Sequence, residues 1–493
     1  MKFRVGICSL LLAGITFANP PWSPNVVACR VGGDTINEGE SCIASDGNYI
    51  YCICNCNERN RVAVIPYGRS TDGGQTWTST WWQDPSVSIT WHTDPVLFCD
   101  DTGYLHMFIQ FSTTVIRHYL STDHGVTWCE STNVSSGGSV DKPWGCYYQN
   151  DLYLTWQNVG SNAGIYFAKS TDRGRTWNQR RIDANNTGIT AICTSPSGII
   201  YLANRNWGDN DVLFTRSLDQ GATWAPWQTL ATGCTYTSGY GDRAPLPAIA
   251  APTDSHVVIT WVDDRYGNWD ILLTRTTDGG STWTPFARLN DSVAGGQCKG
   301  WVCADPLGGL HFIWYHTPSW PTSASSYWSV RYQHSEDFGA TISPSIRLSD
   351  TTFRSPVSFL GEYHLIVADS PYVRCVWTDG RNGDLDLFFA QAELSAIGVE
   401  ENPFVVFTPP NISLHLPGLT RGSAVTVDYV LHRPAPVRLS VLDAAGRKLT
   451  SRDLGYQPAG CHRCRIPGLP ANQPLFVKLD AGGTVTGRTM LIR

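Results

Sequence analysis

The sequence is poor in charge and in methionine, and it has no basic run. Charged residues make up 16% of its 493 positions, against roughly 25% in an average soluble chain. That excludes long solvated tails and charge-laced helical bundles. Lys and Arg never cluster and the formal net charge is −6. A nucleic-acid partner, which needs a basic stripe against its phosphates, is therefore not expected. Long apolar runs are missing except at the N-terminus, where Lys2 and Arg4 precede an apolar stretch, Val5 to Phe17, that leads into Ala18. This segment is too short to span a bilayer and has the layout of a secretory leader cut after Ala18. The expectation is an exported bacterial protein, secreted or held at the cell surface, without a transmembrane segment. Glutamate has its own gap, with none between Glu130 and Glu336.

What the chain does have is turn and strand chemistry. Gly (46) and Pro (29) punctuate it, and Trp (20), Tyr (20), Val and Thr fill the intervals, so it reads as all-β. Sixteen cysteines are present; Cys8 leaves with the leader, so an odd number remains and at least one thiol is unpaired in a monomer. Cys42, Cys99, Cys146, Cys193 and Cys303 fall shortly before a Gly or Asn turn at what reads as one point of a repeat. They are predicted to be small buried side chains in equivalent strands rather than a disulfide framework. Cys52, Cys54 and Cys56 alternate along one strand, and same-face neighbours roughly 7 Å apart cannot hold one zinc ion. The Cys461-His462-Arg463-Cys464 string predicts a local disulfide. No metal or cofactor is expected.

The strongest signal is an internal repeat. The pattern Ser-x-Asp-x-Gly-x-Thr-Trp occurs at 70–77, 121–128, 170–177 and 217–224, at 276–283 with Thr first, and in degraded form at 335–342. Its aspartates, Asp72, Asp123, Asp172, Asp219, Asp278 and Asp337, lie 47 to 59 residues apart. The Ser and Asp side chains suit hydrogen bonds within a tight turn, the Gly accepts a positive φ, and the Trp is free to pack on the next repeat. Such turns are Asp boxes. On these residues the chain resembles the Asp-box, or BNR-repeat, β-propellers of the sialidase superfamily, over residues 25 to about 394. The resemblance implies a propeller whose active site lies on the face opposite the boxes, so the box aspartates are not catalytic candidates.

Upstream of each box lies a pair of strand-like runs, and a seventh pair, Tyr363 to Trp377, follows the last box. At about 50 residues per repeat, this predicts seven four-stranded blades, with the six of sialidases as the alternative. The seventh repeat lacks a fourth strand, and Asn25 to Val31 is predicted to supply it and close the ring. Beyond Glu393 the pattern stops. Residues 395–408 read as a linker, and 409–493 as alternating strands. Asn402-Pro403-Phe404, the Val437 to Leu449 hairpin and the terminal Leu491-Ile492-Arg493 resemble the immunoglobulin-like sorting domains of type IX secretion, with a plain β-sandwich spacer as the alternative. The expected organisation is leader 1–18, propeller 19–394, linker 395–408 and Ig-like domain 409–493, with export machinery as a partner of the last.

The rim opposite the boxes collects polar residues, Glu58, Arg59, Arg61 and His92 among them. A sialidase needs a Tyr nucleophile with a Glu base, an Asp acid/base and three Arg on the substrate carboxylate. The glutamate gap and the absence of an Arg-Ile-Pro string argue against that chemistry here. Arg205, Arg265 and Arg381 recur in NRNWGDND, DDRYGNWD and DGRNGDLD. They would either ring an acidic sugar or pair with local aspartates. Arg243 and Lys142 are further binding candidates. Asp94, Asp141 and Asp242 precede inner strands and are the carboxylates from which a glycosidase pair would be drawn. Trp207, Tyr266, Trp269, Trp320, Tyr327 and Trp328 are candidates to stack on sugar rings. The leading expectation is a glycan-binding propeller with degraded or absent catalysis. An active glycoside hydrolase and a protein-interaction scaffold are the alternatives, and two carboxylates on one pocket floor would favour the hydrolase.

Overall fold

The computed structural model describes residues 22–31, 38–56, 64–84, 92–129, 132–241 and 246–397, and most of 412–492. The chain divides into two compact units, Met1–Glu400 and Glu401–Arg493. Among the described residues no helix is long and apolar enough to cross a membrane; two 3-10 turns are the only helical pieces.

Among the described residues the first unit has seven antiparallel sheets with four strands as the basic plan. Their innermost strands are Glu38–Asp46, His92–Cys99, Ser139–Tyr148, Gly188–Thr194, Ala248–Ala250, Gly296–Ala304 and Leu365–Asp369. Each innermost strand touches that of the next sheet, and the seventh touches the first, so the sheets form a propeller-like ring. An axial cavity of about 300 Å³ is lined by residues from all seven of these strands, including Ile43, Leu97, Ile192 and Ile249. The last sheet takes its outer strand from the start of the chain. Val26–Cys29 runs antiparallel to Asp386–Glu393, with Val26 opposite Phe389 and Cys29 opposite Leu387. The strand predicted from Asn25 to Val31 is the one that makes this pairing.

The Asp boxes hold the ring together from one rim. In the first, Ser70 Oγ donates to Asp72 Oδ1 (2.8 Å) and accepts from Gly74 N (2.9 Å), while Asp72 accepts from Thr76 N (2.9 Å) and Thr76 Oγ1 (2.5 Å). The Thr76 hydroxyl is the main reason the Asp72 carboxyl is held down at about 2. All six boxes repeat this circuit, including the degraded one at Asp337. Each box Trp then packs on an aromatic ring of the preceding sheet: Trp77 on Phe389 (5.2 Å), Trp224 on Phe167 (5.2 Å), Trp283 on Phe214 (4.8 Å). Gly73 N bonds Asn48 O, and Gly279 N bonds Ser255 O, which places the boxes beside the turns between first and second strands. The starts of the innermost strands therefore lie at the opposite rim.

Two cysteine expectations need correcting. Cys146, Cys193 and Cys303 do occupy equivalent points, opposite Tyr153, Tyr201 and His311, but Cys99 is one residue out of step and Cys42 two. Cys464 is a free, buried thiol. The local disulfide predicted through it is therefore not formed; the Cys461 side chain lies outside the described residues.

The second unit has two sheets. One orders Ile412–His415, Ala424–Leu431 and Gly460–Pro467; the other orders Leu419–Thr420, Thr484–Ile492, Gln473–Ala481, Ala435–Leu442 and Lys448–Gln457. Val427, Tyr429, Leu439, Val441, Ile466 and Val477 pack between them as one core.

Candidate functional site

At the rim opposite the boxes, a polar cavity of about 430 Å³ opens over the starts of the first three innermost strands. A local irregularity in those strands builds it. The antiparallel register slips between Gly39 and Cys42, between Thr93 and Val96, and between Asp141 and Trp144. Within each slip one charged residue takes a left-handed backbone: Glu40 (φ 59°), Asp94 (φ 49°) and Lys142 (φ 51°). A bulge of this kind re-aims a side chain out of the regular alternation. Three bulges in successive sheets turn three charges towards one another. The sixth sheet repeats the device between Cys298 and Trp301, with Lys299 at φ 56°; its Nζ donates to Gly241 O at 2.6 Å.

The three charges meet a fourth, Glu362, which precedes the innermost strand of the seventh sheet. Lys142 Nζ lies 3.1 Å from Glu40 Oε1, 2.6 Å from Asp94 Oδ1 and 2.5 Å from Glu362 Oε2. Asn55 braces the cluster: its Oδ1 accepts from Asp94 N (2.9 Å), and its amide donates to Thr93 Oγ1 (3.0 Å) and to Glu40. Asp141 lines the same cavity and accepts from Gln157 Nε2 at 2.8 Å. His92 is buried against the Phe111 and Trp82 rings, and neither of its ring nitrogens has a hydrogen-bond partner; nor has Gln110 Oε1. Both side chains line the cavity.

Burial sets the electrostatics. It pushes Asp94 up to about 6, with Lys142 offsetting only part of the cost. Glu40 is driven well above the carboxylate range by the same desolvation, and Asp141 also rises. Burial alone would lower Lys142, but Asp94, Glu40 and Glu362 outweigh it and the ammonium stays charged. His92 falls to about 4 through desolvation, so it is neutral at pH 7. Carboxyls lifted towards neutrality around a charged ammonium, in a cleft, form the pattern of a candidate acid/base site.

Of the residues singled out in the sequence, Asp94, Asp141, Lys142 and His92 converge here. Asp242 and Arg243, with Glu58, Arg59 and Arg61, lie outside the described residues. The recurring arginines do not line the cavity. Arg205 is buried and donates to Cys234 O (2.5 Å) and Asn210 O. Arg265 pairs with Asp263 at 2.7 Å, and Arg381 with Asp379 at 2.6 Å and with Asp350. They serve the turns that repeat them, so the cationic ring does not assemble. Trp269 and Trp328 are fully buried, Trp269 between Tyr236 and Trp320, and cannot stack on a ligand. Trp207, Tyr266 and Tyr327 remain exposed. Sequence reasoning missed Glu40 and Glu362. The signal available was a charged residue two positions before the apolar residue where pairing resumes, as in Glu-Ser-Cys, Asp-Pro-Val, Lys-Pro-Trp and Lys-Gly-Trp.

Comparison with known proteins gives a fold. Residues 56–292 match a family model described as a BNR repeat-like domain, in keeping with the boxes. No curated protein sequence matches the chain. Among solved structures, a fungal alcohol oxidase of the AA5 family in complex with copper aligns at 9% identity over 96% of this chain and 99% of its own, with a TM-score of 0.54. The α-L-arabinanase of Penicillium chrysogenum complexed with arabinobiose aligns at 13% identity over 76% and 99%, with a TM-score of 0.43. A protein of unknown function from Dyadobacter fermentans aligns at 15% over 76% and 100%, also at 0.43. At these identities the likeness is one of architecture.

Proposed function

We propose that the chain is an exported, seven-bladed Asp-box propeller that hydrolyses glycosidic bonds at the polar cavity of its rim, followed by an Ig-like unit that sorts or anchors it. The observation that carries the reading is the convergence of Asp94, Glu40 and Glu362 on one ammonium, with Asp141 in the same cavity. A glycosidase needs one carboxyl that holds a proton and one that does not. Asp94, lifted by burial to about 6, is the general acid. Glu362 has the most open side chain of the three, 15% exposed against 4% for Glu40 and Asp94, and lies against the Lys142 charge; it is the nucleophile. Because Asp94 and Glu362 both lie against one nitrogen, their nearest oxygens are no more than about 5 Å apart, on the retaining side of the roughly 6.5–9.5 Å that inverting enzymes need.

The test is release of product from a panel of chromogenic glycosides by the full chain, with and without Asp94→Asn. Turnover with retained anomeric configuration, lost in the variant, supports the assignment; turnover unaffected by the variant refutes it. A second reading, glycan binding without cleavage, is favoured by one observation: Lys142 engages all three carboxylates. Saturable binding with no turnover on the same panel would select it.

A further inference from the structure

We infer that the polar rim cavity takes sugar units that are uncharged or carry an amine, and turns away sugars that carry a carboxylate. The inference rests on the cavity being a glycan site and adds the chemical class of its ligand.

The argument is one of donors and acceptors. An ammonium has three N–H groups and no acceptor. Lys142 donates to Glu40 Oε1 and Asp94 Oδ1 and lies 2.5 Å from Glu362 Oε2, so three carboxyl groups already crowd its charge. Among the described residues lining the cavity it is the sole lysine or arginine, so its engaged ammonium is the one cationic group they offer an anion. The recurring arginines that would have met a carboxylate are engaged elsewhere, Arg205 with backbone carbonyls, Arg265 and Arg381 with aspartates. What the cavity offers instead is acceptors. Four carboxyl groups, Glu40, Asp94, Asp141 and Glu362, line it; an ionised one accepts at about four sites, and a protonated one keeps acceptor capacity beside its single O–H. Gln110 Oε1 is a further acceptor without a partner. Such a lining is satisfied by groups that donate: sugar hydroxyls, or the ammonium of an amino sugar.

Charge acts in the same direction. Four carboxyls face one ammonium. A ligand carboxylate brought against these largely buried carboxyls is repelled, and such pairs are screened less than exposed ones. The neutral His92 adds no positive charge at pH 7.

The experiment uses the full chain at pH 7.5 and three matched p-nitrophenyl glycosides, of glucosamine, glucose and glucuronic acid, in both anomers, with binding and nitrophenol release measured separately. The expected order of affinity is amine, then neutral, then uronide, with the uronide at least about tenfold weaker than the neutral sugar. A uronide that binds or turns over as well as the glucoside overturns the inference, while its cleavage would still uphold hydrolysis. Ordered binding without release upholds the inference and overturns hydrolysis. Absence of saturable binding by all three overturns both.

Discussion

Asp94 stands between two opposing forces. Burial favours its neutral form, Lys142 its charged form, and burial prevails to bring it to about 6. Its folded value thus lies above the roughly 3.9 of an unfolded aspartate. Between those values the folded state holds a proton that the unfolded state has lost, so Asp94 makes stability fall as pH rises from about 4 to about 6. Acid catalysis has the same sense: activity should decline as pH climbs through about 6, because the proton donor is lost, and a pH–rate profile reads this directly. A general acid contributes about 10²–10⁴-fold, so Asp94→Asn should lower turnover by that order with little change in thermal midpoint. Lys142→Met acts differently. It leaves three carboxyls around a missing cation, which should cost about 3–5 kcal/mol at pH 7.5. The deficit should shrink at pH 5, where Asp94 is protonated; urea denaturation at the two pH values checks it. An equal deficit at both would mean that packing of the lysine stem, not its charge, supports the cluster.

At the scale of elements, the Asp box and the bulge divide the labour of each sheet. The box locks the outer rim of one sheet onto the aromatic face of its neighbour, and its glycine is where the lock is tightest. Gly221 has φ +85°, and a Cβ there would sit 2.4 Å from Phe167 Cε1. Gly383 has φ +103° but open space around it. Both substitutions to Ala carry the strain of a left-handed backbone, about 1–3 kcal/mol. Only Gly221→Ala adds a steric clash, so it should lower the unfolding midpoint further than Gly383→Ala. The bulge, at the other end of the innermost strand, trades ladder hydrogen bonds for an inward-aimed charge. The boxes were legible because their mechanics demand one residue type at each of several positions. The bulges were not, since any charged residue serves and the neighbours differ from sheet to sheet.

Over the whole molecule, the ring depends on a contact between the two ends of the first unit. Without Val26–Cys29, the strand Asp386–Glu393 would present an open edge of unpaired backbone groups. Deleting residues 22–31 should therefore produce a chain that aggregates or melts early, read by size exclusion and thermal unfolding. A chain ending at Ile397 should keep the ring, since the compact units divide at Glu400; loss of the cooperative transition in that truncation would refute it. The repeat, the strand content and the closing strand followed from the sequence alone, because turn chemistry and apolar alternation are local and each repeat states them again. The sequence likewise brought Asp94, Asp141 and Lys142 forward as candidates, since each stands at the start of an inner strand. Their partners were beyond it. Glu40 and Glu362 are 322 positions apart and meet only because the first and seventh sheets become neighbours when the ring closes. The arginines likewise read as a set in the sequence, yet the tertiary structure pairs each within its own turn, since a buried or half-buried guanidinium takes the nearest acceptors. Local pattern determined the architecture; ring closure and burial decided which charges face one another.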